Sequence, residues 1–189
     1  MTPYIYVIDE FFPEYEFELV QAYARQLEYR PEESPLDHVV YPNIGLPVPD
    51  VVKERIEQSM MWLLGFKPIE RQSAFRLSPR GSEPPQWAHT DAEVSRYAFF
   101  CYINPGPSST VLLEHRRTGM RMHPSNEAEL QAWKEDHDNE EAWRIIGEVP
   151  GAPNRALVMR SDLMHAAMPR IGYGEDTSDA RLILLSFFD

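Results

Sequence analysis

Apolar positions recur in two different rhythms along this chain, and the change comes near residue 69. Tyr4-Ile5-Tyr6-Val7-Ile8 is rich in β-formers and predicts an opening strand. After Pro13 the period is helical, with Phe17, Val20, Ala24 and Leu27 on one face. Pro31 to Pro49 is Pro-rich and predicts an irregular surface loop. Pro49-Asp50 predicts a second helix start. Val52, Ile56, Met60 and Leu63 supply its apolar stripe, and Gly65 its stop.

Beyond Ile69 the apolar runs become short and are separated by turn residues. Strands are predicted over Glu70 to Leu77, around Trp87 to Asp91, over Tyr97 to Ile103, Ser109 to His115, Arg155 to Met159 and Arg181 to Phe188. A helical insert is predicted from roughly Asn126 to Arg144, anchored by Leu130, Trp133 and Trp143. Helices first and many short strands afterwards make an α+β chain with a two-sheet jelly roll, a double-stranded β-helix, as its core. The expected organisation is one domain over residues 1–189. Residues 1–68 give an N-terminal strand and supporting helices, and residues 69–189 the jelly-roll core.

Composition narrows the function classes. Hydrophobic residues at 43% and charged residues at 25% fit a soluble globular protein. A formal net charge of −12 argues against a general grip on nucleic acid, which needs a basic surface. A local basic groove around Arg116, Arg117 and Arg121 stays open. The single cysteine, Cys101, sits in an apolar strand and reads as a buried hydrophobe. Met1 to Glu10 lacks the charge-then-apolar order of a signal peptide, and no apolar run is long enough to span a bilayer. The expectation is a soluble protein of the cytoplasm, with no feature that specifies an oligomeric state.

The candidate chemistry lies in the second half. In a strand, residues two apart share a face, so His89-Thr90-Asp91 would aim an imidazole and a carboxylate at one point. His165, brought from a distant strand, would complete two histidines and one carboxylate on one face of a metal. On these residues alone a second reading stands beside it: His89 and Asp91 as surface polar groups in a turn after Pro84-Pro85. Arg181 opens an apolar strand, where a charge is costly unless paired. It reads either as an exposed strand end or as a fork that binds a carboxylate inside the barrel. The other histidines carry less. His115 reads as an exposed strand end, His123 and His38 as loop residues, and His137 as part of a solvated charged helix face.

In the order His89, Asp91, His165, Arg181, residues Phe75 to Phe188 resemble the Fe(II)/2-oxoglutarate-dependent dioxygenases, in particular their prolyl-hydroxylase-like branch. The resemblance implies Fe(II) held by His89, Asp91 and His165. It implies 2-oxoglutarate as co-substrate, its far carboxylate held by Arg181. Phe100-Cys101-Tyr102-Ile103-Asn104 is similar to a family strand whose tyrosine donates to the same carboxylate, which makes Tyr102 a second co-substrate candidate beside its reading as a core residue. The implied activity uses O₂ to hydroxylate a C–H bond of a small molecule, amino acid or protein side chain, releasing succinate and CO₂.

The chain departs from the family pattern in three places. The gap from His165 to Arg181 is longer than usual and is filled by Gly172 to Asp179. Ile183 stands where relatives often carry Ser or Thr, and Ser108-Ser109-Thr110 where they often carry two glycines. Two further readings stay open: a cupin-like metal-binding barrel of another activity, and a catalytically inactive binding barrel. Trp87, Arg76 and Tyr97 are candidate pocket residues; 31–49 and 171–180 are candidate lids.

Overall fold

The structure is a computed structural model that describes residues 5–189. Tyr4, placed in the opening strand by its sequence, lies outside the described residues. Two sheets face each other. The larger has seven strands. Strand β1 (Ile5–Ile8) pairs with β8 (Ala156–Arg160), followed by β5 (Tyr97–Tyr102), β10 (Arg181–Phe188), β4 (Glu70–Ser78), β3 (Val40–Gly45) and β2 (Tyr29–Glu33). The smaller has three, in the order β7 (Trp143–Pro150), β6 (Ser109–His115) and β9 (His165–Met168). All registered pairs are antiparallel.

Strand periodicity gives the large sheet two different faces. Leu182, Leu184, Phe99, Cys101, Phe75 and Leu77 point outward. Helices α1 (Glu14–Gln26) and α2 (Asp50–Leu64) cover them, burying Val20, Ala24, Val52, Ile56 and Met60. Gly65 ends α2 in the left-handed conformation, φ 78°, and its N–H caps Met61 O. Ile183, Leu185, Phe100, Tyr102, Leu157 and Met159 point inward, toward the small sheet. The small sheet packs its own apolar cluster of Val111, Leu113, Trp143, Met164 and Ala166 with Trp87.

Four sequence expectations are corrected. The Pro-rich segment is a β-hairpin rather than a loop. Ile44 and Gly45 register with Arg76 and Phe75 of β4, and β2 lies at the sheet edge. The register slips between Arg30 and Glu32, so Pro31 falls at the irregularity, where a missing donor is tolerated. The helical insert is shorter than expected: α3 (Glu127–Asp136) is capped by the Asn126 side chain, which accepts from Glu129 N. A 3₁₀ turn follows at Glu140–Ala142, and Trp143 opens β7 instead of anchoring a helix. Around Trp87 to Asp91 there is no strand, only one bridge, His89 to His165. His165 itself opens a strand that the sequence did not announce.

Candidate metal centre and anion pocket

His89 and His165 meet across the mouth of the sandwich. Each donates its backbone N–H to the other's carbonyl, at 3.1 and 2.9 Å, and their ring centroids lie 4.4 Å apart. His89 Nδ1 lies 3.0 Å from Trp87 O, and His165 Nδ1 lies 2.9 Å from Leu163 O. A carbonyl only accepts, so both Nδ1 atoms carry the proton, and in the neutral ring Nε2 then presents the lone pair. The matching backbone contact, two residues upstream in each case, orients both rings the same way.

Asp91 enters from the loop after His89, anchored by its N–H to Ser161 O at 2.8 Å. Its Oδ1 is 3.9 Å from His89 Nε2 and its Oδ2 is 3.5 Å from His165 Nε2. The three donor atoms lie within 4.8 Å of one another, and the group could hold a metal ion. The fit is chemical as well as geometric. Asp91 Oδ2 is buried and has no hydrogen-bond partner. With both rings neutral, two imidazole lone pairs and a carboxylate converge, a repulsive arrangement that a cation relieves. Burial and the adjacent His165 lower the His89 pKa to about 4, which keeps its ring neutral and ready to coordinate.

Two arginines face the same interior. Arg181 is 6% exposed, so it is no exposed strand end. Its Nε donates to Ser108 Oγ at 3.1 Å. Burial lowers its pKa, and the ionisable groups acting on it are the phenols of Tyr102 and Tyr173, not a carboxylate. Arg76 lies on the neighbouring strand, opposite Ile183, and stands over the Tyr41 ring at 5.4 Å. Burial and Arg181 lower its pKa to about 10. Tyr102 is also buried, and its hydroxyl meets Thr110 Oγ1 at 2.8 Å. The Ser108-Ser109-Thr110 segment thus supplies the hydroxyls that hold Arg181 and Tyr102.

A cavity of about 90 Å³ runs between the sheets from the triad to Arg181, lined by Phe100, Thr110, Ala166 and Ile183. It opens into an outer cavity of about 410 Å³, and Asp37, Tyr41, Arg76, His89, Asp91 and Val94 border both. Glu32, Ser34, Asp37, Tyr41 and Ile44 of the hairpin line the inner cavity, so the Pro-rich segment contributes a wall.

Several sequence expectations end here. Arg76 lines the pocket, whereas Trp87 is packed in the small-sheet core and Tyr97 against the helix-covered one. Arg76 carried the same signal as Arg181, a charge inside an apolar strand. His115 is fully buried, between Thr118 Oγ1 and Asp136 Oδ2, and ties β6 to the end of α3. The basic groove does not form: Arg117 pairs with Glu135 and Asp136, Arg121 with Glu114, and Arg116 donates to Trp143 O. Burial raises the Cys101 thiol pKa, leaving an inert hydrophobe. No helix among the described residues is long and apolar enough to cross a membrane.

Comparison with known proteins places the fold. No protein-family model matches the chain, and no curated protein matches it. Solved structures do. AviO1 from Streptomyces viridochromogenes aligns with a TM-score of 0.60 at 13% identity, over 98% of this chain and 89% of that one. The non-heme alpha ketoglutarate dependent epimerase SnoN from nogalamycin biosynthesis aligns at 0.58, with 14% identity, over 98% and 78%. EctD from S. alaskensis, solved with 2-oxoglutarate and 5-hydroxyectoine, aligns at 0.54, with 15% identity, over 98% and 72%. At these identities the likeness is one of fold.

Proposed function

We propose that this chain is an Fe(II)- and 2-oxoglutarate-dependent dioxygenase of the prolyl-hydroxylase-like branch, acting on a C–H bond of a small molecule. The observation that carries the reading is the pairing of two sites in one cavity. One end holds a proton-free set of two imidazoles and a carboxylate, and the other a buried arginine facing no carboxylate. A 2-oxo dicarboxylate has complementary ends, a chelating keto acid and a distal anion. The fold neighbours support the choice, since EctD structures carry Fe and 2-oxoglutarate and EvdO2 has been solved with 2-oxoglutarate.

In this reading His89, Asp91 and His165 hold the iron, and the Trp87 and Leu163 carbonyls keep both rings in the ligating tautomer. Bound iron with 2-oxoglutarate and O₂ supplies the oxidising chemistry, coupling decarboxylation of the keto acid to oxidation of the substrate. Arg181, oriented by Ser108, holds the far carboxylate. Arg76 lies between the two sites, within the field of both Asp91 and Arg181, and supplies a second positive charge for the acid. Ala74, Ala166, Ile183 and Leu185 make the inner walls apolar and limit water near the reacting centre. The outer cavity takes the substrate. A small molecule is favoured over a protein side chain because EctD and SnoN are described with small-molecule ligands. Hydroxylation is the expected outcome.

The test is an anaerobic titration of the Fe(II)-loaded protein with 2-oxoglutarate. A weak visible charge-transfer band should appear on chelation, and admission of O₂ should release succinate. Iron binding without the band would point to a cupin-like barrel of another activity. A band without succinate, across a panel of small-molecule substrates, would mark an inactive binding barrel.

A further inference from the structure

The long segment between β9 and β10 is not a loose lid. It is fastened to the turn after β4: Tyr173 N donates to Ser78 O at 3.3 Å, Arg80 N to Gly174 O at 3.0 Å, and Gly81 N to Ile171 O at 2.7 Å. On its far side Asn104 Nδ2 donates to Thr177 O at 2.9 Å and to Ala180 O at 3.0 Å. Gly172 has φ +66°, and a Cβ there would lie 2.3 Å from Pro79 O, so only glycine permits this approach.

The fastening delivers one side chain, Tyr173. The hydroxyl-bearing end of its ring lies against Gly106, where an added Cβ would come within 2.3 Å of Cε2 and 2.5 Å of the hydroxyl oxygen. Its hydroxyl is buried and lacks a well-formed hydrogen bond within the protein. A buried hydroxyl left unpaired is costly, and such an atom in a native fold calls for a partner. Arg181, Tyr102 and Asp179 act on it electrostatically, and the Ser108 side chain, which also accepts from Arg181 Nε, lies within its reach. Burial raises the phenol pKa, so the group keeps its proton and can donate. Ile183, on the same face of β10 as Arg181, offers no hydroxyl at this end of the cavity.

We infer that Tyr173 is a positioning residue for the far carboxylate of the 2-oxo acid: it completes, from the inter-strand segment, the donor set begun by Arg181. The inference rests on the proposed function above. It makes the chain's long His165-to-Arg181 segment part of co-substrate selection, by setting which acids, counted by their distal carboxylate, are accepted.

The experiment titrates Fe(II)-loaded protein anaerobically with 2-oxoglutarate and, separately, with pyruvate, which chelates but has no distal carboxylate. The charge-transfer band reports binding without turnover. Wild type should bind 2-oxoglutarate far more tightly than pyruvate. Tyr173→Phe keeps the ring and its seat on Gly106; it should weaken 2-oxoglutarate binding by about tenfold, the loss of one hydrogen bond to a charged group, and leave pyruvate unchanged. Gly106→Ala, which displaces the ring but spares the hydroxyl, should show the same selective loss. If Tyr173→Phe binds 2-oxoglutarate as wild type does while Arg181→Met does not, the proposed function stands and Tyr173 has no such role. Equal weakening toward both acids makes Tyr173 structural only and overturns the inference. A wild-type protein that shows no band, or no preference between the acids, overturns the iron and co-substrate reading and the inference with it.

Discussion

The two faces of the large sheet are built from the same strands and behave as opposites. The outer face is closed by α1 and α2 with Leu182, Leu184, Phe99 and Phe75. Where polar atoms do lie on it, they satisfy one another: Ser186 Oγ meets Ser73 Oγ at 2.7 Å, and Ser73 donates to Glu70. The inner face carries Arg181, which faces no carboxylate, and Arg76, which lies in the field of Asp91, and Asp91 itself has an unpaired buried oxygen. One face is satisfied by protein alone. On the proposed reading a ligand completes the other, with a cation at the triad and an anion at the arginines.

That contrast breaks most sharply at the triad. Asp91→Ala should abolish iron binding and succinate formation, a loss of at least about 10³-fold, since a facial site cannot hold Fe(II) with two ligands of three. Metal analysis and a turnover assay check it, and wild-type decarboxylation by the variant would refute the assignment. The converse change sits one strand face away. Leu184→Ala should cost about 2–5 kcal/mol of stability through the cavity it leaves, with iron content and 2-oxoglutarate affinity unchanged. Urea unfolding and metal analysis together test this; loss of iron before loss of fold would show that the faces are not independent.

Arg181→Met should weaken 2-oxoglutarate binding by about 100-fold while leaving stability equal or higher, because it removes a buried charge that no carboxylate offsets. A variant that unfolds readily would mean the arginine serves the fold rather than the ligand. The smallest expected effect is on pH. His89 has a folded pKa of about 4 against an ordinary 6.5, so between these values the unfolded chain binds more protons. Stability of the metal-free protein should therefore be full above about 6.5 and fall as pH drops toward 4, by about 1–3 kcal/mol from this group. Chemical denaturation across that range should show a shallower slope in His89→Gln; an equal slope would assign the effect elsewhere.

Much of this architecture was legible in the residues. Strand β10 spans Arg181–Phe188 as its apolar run indicates, and α1 and α2 begin after Pro13 and Pro49 as their stripes and punctuation indicate. Local periodicity reports which face of an element is apolar, and it works best where that face is sealed. It fails at β2, β3 and β7. Prolines and exposed Ile145 and Ile146 mask these strands, and pairing with a distant neighbour is what makes them strands. The burial of His115 is hidden from local pattern for the same reason, since its two partners come from a turn and a helix end.

The sequence by itself determined the donor types, their order and the shared face of Arg181 and Ile183 on β10, because each is a matter of local chemistry or of a two-residue repeat. Only the tertiary structure decided that His89 and His165 share a bridge, that Asp91 turns into the same point, that Arg76 and Thr110 line one cavity with Arg181, and that Ser108 and Tyr173 gather around Arg181. Those are meetings between strands far apart in the chain. Their positions follow from register and from how two sheets pack, and no local pattern encodes either.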